Sequence, residues 1–190
     1  MAKSDFIAKR EFEHILAALM PANRLALEIA LATGLRISDV LSLTTDQLYK
    51  GAVHDDKGRV TGARFTVGEH KTHKRRRVYL TGDLVREAMG QAGLIYVFPS
   101  KCYEDRHRTR QAVYKDLRRV ADMWRLPGNL VISPHTARKV YAVSKYQSGA
   151  SLKKVQELLN HGDQTTTMIY AMADAVTARK LGRKRGNEDV

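Results

Sequence analysis

One cysteine, Cys102, one tryptophan and four prolines are all that this 190-residue chain holds of those residue types. A lone cysteine excludes an internal disulfide framework, fits a reducing compartment and leaves no thiol pair for a zinc site. No apolar run is long enough to cross a bilayer, and no signal peptide or lipidation box is present. No internal repeat recurs and no Gly/Ser/Pro-rich linker divides the chain, whose length suits one domain with a proper hydrophobic core. Acidic residues are scarce as well: 20 Asp and Glu stand against 33 Lys and Arg, a net charge of +13. Hydrophobic residues make up 43%, ordinary for a globular protein, so the charge is the outlier. Such an excess calls for a polyanion, with nucleic acid ahead of an acidic membrane surface.

From the N-terminus, residues 1–7 read as a short lead-in. Residues 8–19 then place Phe12, Ile15, Leu16 and Leu19 on one helical face. Residues 22–33 form a second helix, apolar on most sides and therefore expected at the centre of the domain, with Gly34 at its end. Residues 37–43 make a short third helix. Between 45 and 80, polar and β-branched residues alternate, with Gly58, Gly62 and Gly68 as punctuation. This predicts a small antiparallel sheet, with the basic run from His70 to Arg77 at one of its turns. Residues 83–91 read as a helix, 96–100 as an extended piece and 101–110 as a charged loop. A helix over 109–124 would bury Val113, Leu117, Val120 and Trp124. Ser133 and Pro134 suit the cap and first turn of a further helix, which Gly149 would end in a left-handed cap. Ser151 caps another, striped by Leu152, Val155, Leu158 and Leu159. A last helix over 174–182 precedes a charged tail. The fold class expected is α+β, mostly α, with one small antiparallel sheet.

The helix after Ser133 puts His135 and Arg138 on one face. His161 follows, and Tyr170 comes nine residues later. Together they suggest anion binding, proton transfer and an oxygen nucleophile. Each has a plainer alternative. Tyr170 suits a packed aromatic, His161 a bond to a helix-terminal carbonyl, and Arg36 an ion pair with Asp39. A protonated His135 would be unfavourable near a helix start, which argues for a neutral imidazole or a bound anion. The segment LATGLRISDVLSL also reads as a helix-turn-helix with Gly34 at the turn, as in a noncatalytic DNA-binding regulator. His70 and His73 lack a thiol companion or a carboxylate cluster, so no metal site is expected there.

PHTARKVYAVSKYQSG followed by VQELLNHGDQTTTMIYAMAD resembles the H-x-x-R, L-x-H and terminal tyrosine boxes of the tyrosine recombinase (phage integrase) family. ATGLRISDVLSL resembles that family's first arginine box, and GEHKTHKRRRVYL its lysine-bearing β-hairpin. The boxes stand in the family's order across residues 32–174. The resemblance implies a catalytic domain over residues 1–175 with no separate N-terminal core-binding domain, then a basic tail over 176–190, helical at its start. It implies site-specific DNA strand cleavage and rejoining through a 3′-phosphotyrosine. Arg36, Lys71, His135, Arg138, His161 and Tyr170 would be catalytic, and Asp39 would orient the site. By that resemblance Tyr170 attacks the phosphodiester and Arg36 and Arg138 clamp its oxygens. His135 would be the general base, His161 a donor to the phosphate, and Lys71 the acid for the departing 5′ oxygen, with Lys74 its nearest competitor. The basic residues Lys74, Arg75, Arg76, Arg77, Arg106, Arg108 and Arg110 would grip phosphates.

No metal or cofactor is required by such chemistry. Its partners would be double-stranded DNA, further copies of the chain in a tetramer on DNA, and an accessory DNA-bending protein. No membrane is involved, and the place would be the cytoplasm, at the nucleoid of a bacterial, phage or archaeal host. Asn160 stands where the family usually has glycine before the box histidine, and asparagine tolerates a left-handed backbone better than most residues. Type IB topoisomerase-like strand relaxation shares the chemistry, whereas EDTA would stop a metal-dependent nuclease.

Overall fold

Capping residues set several of the helix ends in the computed structural model, which describes residues 4–124 and 130–159. In chain order the elements are α1 (Lys9–Ala17), α2 (Pro21–Thr33), α3 (Ile37–Leu41) and α4 (Thr45–Lys50). Strands β1 (Ala52–His54), β2 (Val60–Gly68) and β3 (Arg75–Thr81) follow. The chain continues with α5 (Gly82–Gln91), α6 (Arg110–Met123), α7 (Pro134–Gln147) and α8 (Leu152–Leu159). The strands form one antiparallel sheet in the order β1-β2-β3. A mostly helical α+β fold with a small sheet is therefore what the chain adopts.

Helix α2 lies at the centre, and α1, α3, α5, α7 and β3 all pack on it. Its Leu25, Ala26, Leu27, Ile29 and Ala30 are fully buried, as a nearly all-apolar helix requires. Its first turn is tied to α6, because Asp116 accepts from the Met20 amide at 2.9 Å and from the Asn23 side chain at 2.8 Å. Gly34 ends it at φ 69°, a left-handed cap that suits a residue without Cβ. Ser133 opens α7 by accepting from the His135 amide at 3.2 Å, with Pro134 in the first turn. Gly149, at φ 92°, follows its last turn. Ser151 opens α8 by accepting from the Lys154 amide, and Val155 and Leu159 are buried beneath it.

The sheet has two unlike faces. Ala63 and Val67 of β2, Glu69 just past its end, and Val78 and Leu80 of β3 are buried, while Arg64, Arg75, Arg77 and Tyr79 are exposed. Val67 stands opposite Arg76.

Several expectations need correcting. Residues 45–50 form α4 and not sheet, because Thr44 and Gln47 close a capping box: the Gln47 amide donates to Thr44 Oγ1 at 3.2 Å and the Thr44 amide to Gln47 Oε1 at 3.0 Å. Trp124 is not core. It falls one residue past the end of α6, where helical periodicity no longer applies, and is 48% exposed. The lead-in is docked: Asp5 and Val131 bond through both the Asp5 amide and its carboxylate, and Ile7 is buried. The turn over 127–129, the helix expected over 174–182 and the basic tail lie outside the described residues.

Candidate active site

Arg36 sits at the start of α3 in extended backbone, two residues past the left-handed turn at Gly34. That turn swings the chain off the end of α2 and holds Arg36 at the rim of the core, its side chain 13% exposed. Its guanidinium does not choose Asp39, the ion pair that sequence spacing allows. It donates to Oε2 of Glu69, at the end of β2, whose side chain is wholly buried. Asp39 is buried too, and its Oδ1 accepts from the His70 amide at 3.1 Å. Burial raises the Asp39 carboxyl above its ordinary value, with Glu69 adding to the effect and the His70 amide and Arg36 opposing it.

Arg138, one turn into α7, is 2% exposed. It donates to the carbonyl of Gly34 and to the carbonyl of Leu159. A single guanidinium fork thus fastens α7 to the corner after α2 and to the end of α8. Burial pushes His135 below its usual pKa, and Arg138, Arg110, Arg36 and Lys139 push it the same way. Arg138, Arg110 and Arg36 thus all lie close enough to His135 to disfavour its protonated form. A neutral imidazole can accept a proton, and the surrounding guanidiniums suit an anion.

Lys71 is exposed in the turn between β2 and β3. The turn is closed by the His73 amide on the Glu69 carbonyl at 2.8 Å and the Glu69 amide on the Lys74 carbonyl at 3.0 Å, with His73 at φ 54°. Lys74, Arg75, Arg77, Arg106 and Arg110 are exposed. Arg106 lies over the Tyr103 ring, 4.8 Å from its centroid. Arg108 is half-buried, its amide bonded to the Phe98 carbonyl at 2.7 Å.

Arg76 departs from the expectation of a surface phosphate grip. It turns inward, its side chain 14% exposed, donates to the Thr33 carbonyl and faces Glu69 across 3.9 Å. His161 and Tyr170 lie outside the described residues. Among the described residues no cluster of three or more His, Cys, Asp or Glu is placed to hold a metal ion.

Sequence reasoning missed Glu69, the inward turn of Arg76, and Tyr141, a buried α7 residue packed against Gly34. Strand alternation carried the signal for the first two. Glu69 is in phase with Ala63 and Val67, and Arg76 with Val78 and Leu80.

The family model described as the phage integrase family matches residues 5–176. The tyrosine recombinase XerD of Agrobacterium fabrum is 33% identical over 159 residues, covering 77% of this chain and 47% of that protein. The XerD of Bradyrhizobium diazoefficiens is 35% identical over 160 residues, with coverages of 76% and 46%. The chain thus spans less than half the length of either relative. Among solved structures, a lambda integrase dimer bound to a COC′ core site superposes with a TM-score of 0.70 at 16% identity, covering 100% of this chain and 52% of that one. The XerH recombinase in its post-cleavage complex with difH gives 0.66 at 21% identity, covering 94% and 52%. At those identities the likeness is one of fold, and it agrees with the match across the sequence. The chain belongs to the phage integrase, or tyrosine recombinase, family.

Proposed function

We propose that this chain cleaves and rejoins DNA strands as the catalytic part of a site-specific recombinase. The observation that carries the reading is that Arg138 bonds the corner from which the chain runs into Arg36, with His135 within electrostatic reach of both guanidiniums. Two permanently charged guanidiniums near one imidazole suit the nonbridging oxygens of a phosphodiester, where charge gathers in the transition state. The net charge of +13 suits the duplex around it.

In the reaction the Tyr170 oxygen attacks phosphorus, and the bond from phosphorus to the 5′ oxygen breaks. A 3′-phosphotyrosine and a free 5′-hydroxyl result. The phenol proton passes to His135, and the 5′ oxygen takes a proton from Lys71. His161 donates to the phosphate. Rejoining reverses each transfer, so neither a nucleotide nor a metal is consumed. Lys74, Arg75, Arg77, Arg106 and Arg110 hold the backbone on either side. Residues 1–175 supply the chemistry, and the tail over 176–190 is an added basic segment. Strand exchange between two duplexes requires several copies, so a tetramer on DNA in a cytoplasmic, nucleoid setting follows, with an accessory DNA-bending protein to shape the site.

The experiment mixes the protein with a nicked duplex in EDTA and runs it on a denaturing gel beside Tyr170→Phe. A covalent adduct that forms without metal and vanishes in the variant is the expected result. Binding without an adduct, on duplexes drawn from the DNA flanking its own gene, would favour a noncatalytic regulator.

A further inference from the structure

Two consecutive residues at the base of the β2–β3 turn grip two residues of the first arginine box. Glu69 takes the Arg36 guanidinium on its side chain, and His70 donates its amide to Asp39. We propose that Glu69 is a positioning residue, one that registers Lys71 against Arg36 so that the acid and the phosphate clamp meet the same phosphodiester. The proposal rests on the recombinase reading given above.

The surroundings of Glu69 argue for a mechanical role. Its side chain is wholly buried, and a carboxylate in such a place persists only when it is paired. Oε2 takes Arg36 and also the Thr72 hydroxyl at 3.2 Å, and Oε1 faces Arg76 Nη1 at 3.9 Å. Arg76 is held in turn by the Thr33 carbonyl, at the end of α2. One carboxylate therefore joins the turn, the facing strand and the arginine box.

Lys71 lies between Glu69 and the closure of that turn. The Glu69 carbonyl accepts from the His73 amide and the Glu69 amide donates to the Lys74 carbonyl, so Lys71 is three peptide bonds or fewer from a fixed point on either side. Moving the Glu69 backbone moves Lys71. Loosening Glu69 from Arg36 frees the turn to shift relative to the clamp. A carboxylate that merely neutralised two arginines would also be buried and paired, but it would leave the leaving-group step no more affected than any other.

The leaving group distinguishes the two roles. In a duplex whose bridging 5′ oxygen is replaced by sulfur, the group departs as a thiolate and needs no proton, so Lys71 has no acid to supply. The experiment measures single-turnover cleavage of ordinary and sulfur-bridged nicked duplexes, drawn from the DNA flanking the gene, by wild type, Glu69→Gln and Glu69→Asp. Melting and duplex affinity are followed in parallel.

A misplaced acid slows ordinary cleavage on the order of 100-fold, the loss expected for a shift of about 1 Å. On the sulfur-bridged duplex the deficit should shrink by at least about tenfold, since general acid assistance is no longer part of the rate. Wild-type ordinary cleavage by either folded variant overturns the proposal, and so does an equal deficit on both duplexes. Glu69→Asp keeps the charge while shortening the reach, so it answers the question if Glu69→Gln does not fold. If neither variant folds, Glu69 is a structural counter-ion and the proposal falls. A wild-type protein that forms no Tyr170-dependent adduct overturns the recombinase reading and this inference with it. A wild-type adduct with equal deficits overturns the inference alone.

Discussion

Arg138 donates a hydrogen bond to the carbonyl of Gly34, 104 residues earlier in the chain. The contact joins the arginine of one box to the turn that presents the arginine of another. The same turn carries a tight approach on its other side: a Cβ on Gly34 would stand 2.6 Å from two Tyr141 ring carbons.

Gly34→Ala should therefore be destabilising for two reasons at once. The backbone at φ 69° disfavours any L side chain, by about 1–3 kcal/mol for a non-glycine residue in that region, and the Tyr141 ring must also move. Urea unfolding should show at least that loss. DNA cleavage should fall further than stability alone explains, because Arg36 is aimed from the displaced turn. An unfolding midpoint equal to wild type would show that the turn can relax around a methyl group.

Arg138→Lys keeps the charge and loses the fork. A lysine ammonium cannot span the Gly34 and Leu159 carbonyls in the way that Arg138 does, so one of these acceptors goes unpaired. The expected stability loss is about 1–3 kcal/mol, the usual penalty for one stranded buried group. Cleavage should fall steeply as well. Unfolding measurements and adduct formation on the same preparation check both. Full adduct formation by the lysine variant would show that a point charge is enough at that position.

Much of this frame was legible because capping chemistry is local. Gly34, Ser133, Gly149 and Ser151 end or open their helices by backbone preference and short-range hydrogen bonds, which a sequence displays directly. The Thr44 to Gln47 capping box was equally local but was obscured by the β-branched residues around it. Trp124 was misplaced because periodicity was extended one residue beyond the helix. The expectation that Arg36, His135 and Arg138 share a site came from recognising ordered boxes, since no spacing tells that Arg138 reaches the corner before Arg36. The Glu69 to Arg36 bond was hidden for another reason. A charged residue beside a basic run invites a surface reading unless strand phase is followed through the turn, and Glu69 lies just past the last strand residue, Gly68.

His135 gives the fold a pH dependence with a definite sign. Burial and its arginine neighbours hold its folded pKa below the ordinary 6.5, so the unfolded chain takes up the proton first as pH falls. Its stabilisation is complete above pH 6.5 and is lost as pH drops through 6.5 towards the lowered folded value. His135→Gln removes this titration. Unfolding free energies of the two proteins, measured from pH 8 downwards, should diverge in slope below about 6.5. Parallel curves through that range would show that the imidazole is equally willing to be protonated in both states.

Arg76 and Arg77 are neighbours in sequence and should behave as opposites. Arg77 is exposed on the outer face of β3, where a duplex phosphate can reach it, and Arg76 is turned inward to the Thr33 carbonyl and Glu69. Arg77→Ala should weaken duplex binding and reduce the salt slope of log affinity by about 1, since one phosphate contact is gone. Its stability should change by no more than about 0.5 kcal/mol, as at most surface sites. Arg76→Ala should leave the salt slope unchanged and lower unfolding stability by about 1–3 kcal/mol, because the Thr33 carbonyl loses its donor and the buried Glu69 carboxylate a neighbouring cation while Arg36 remains. Titrations of affinity against salt, set beside urea unfolding, separate the two. A salt slope that falls equally in both variants would mean that Arg76 leaves the interior to meet the phosphate, and the inward assignment would be wrong for the DNA-bound state.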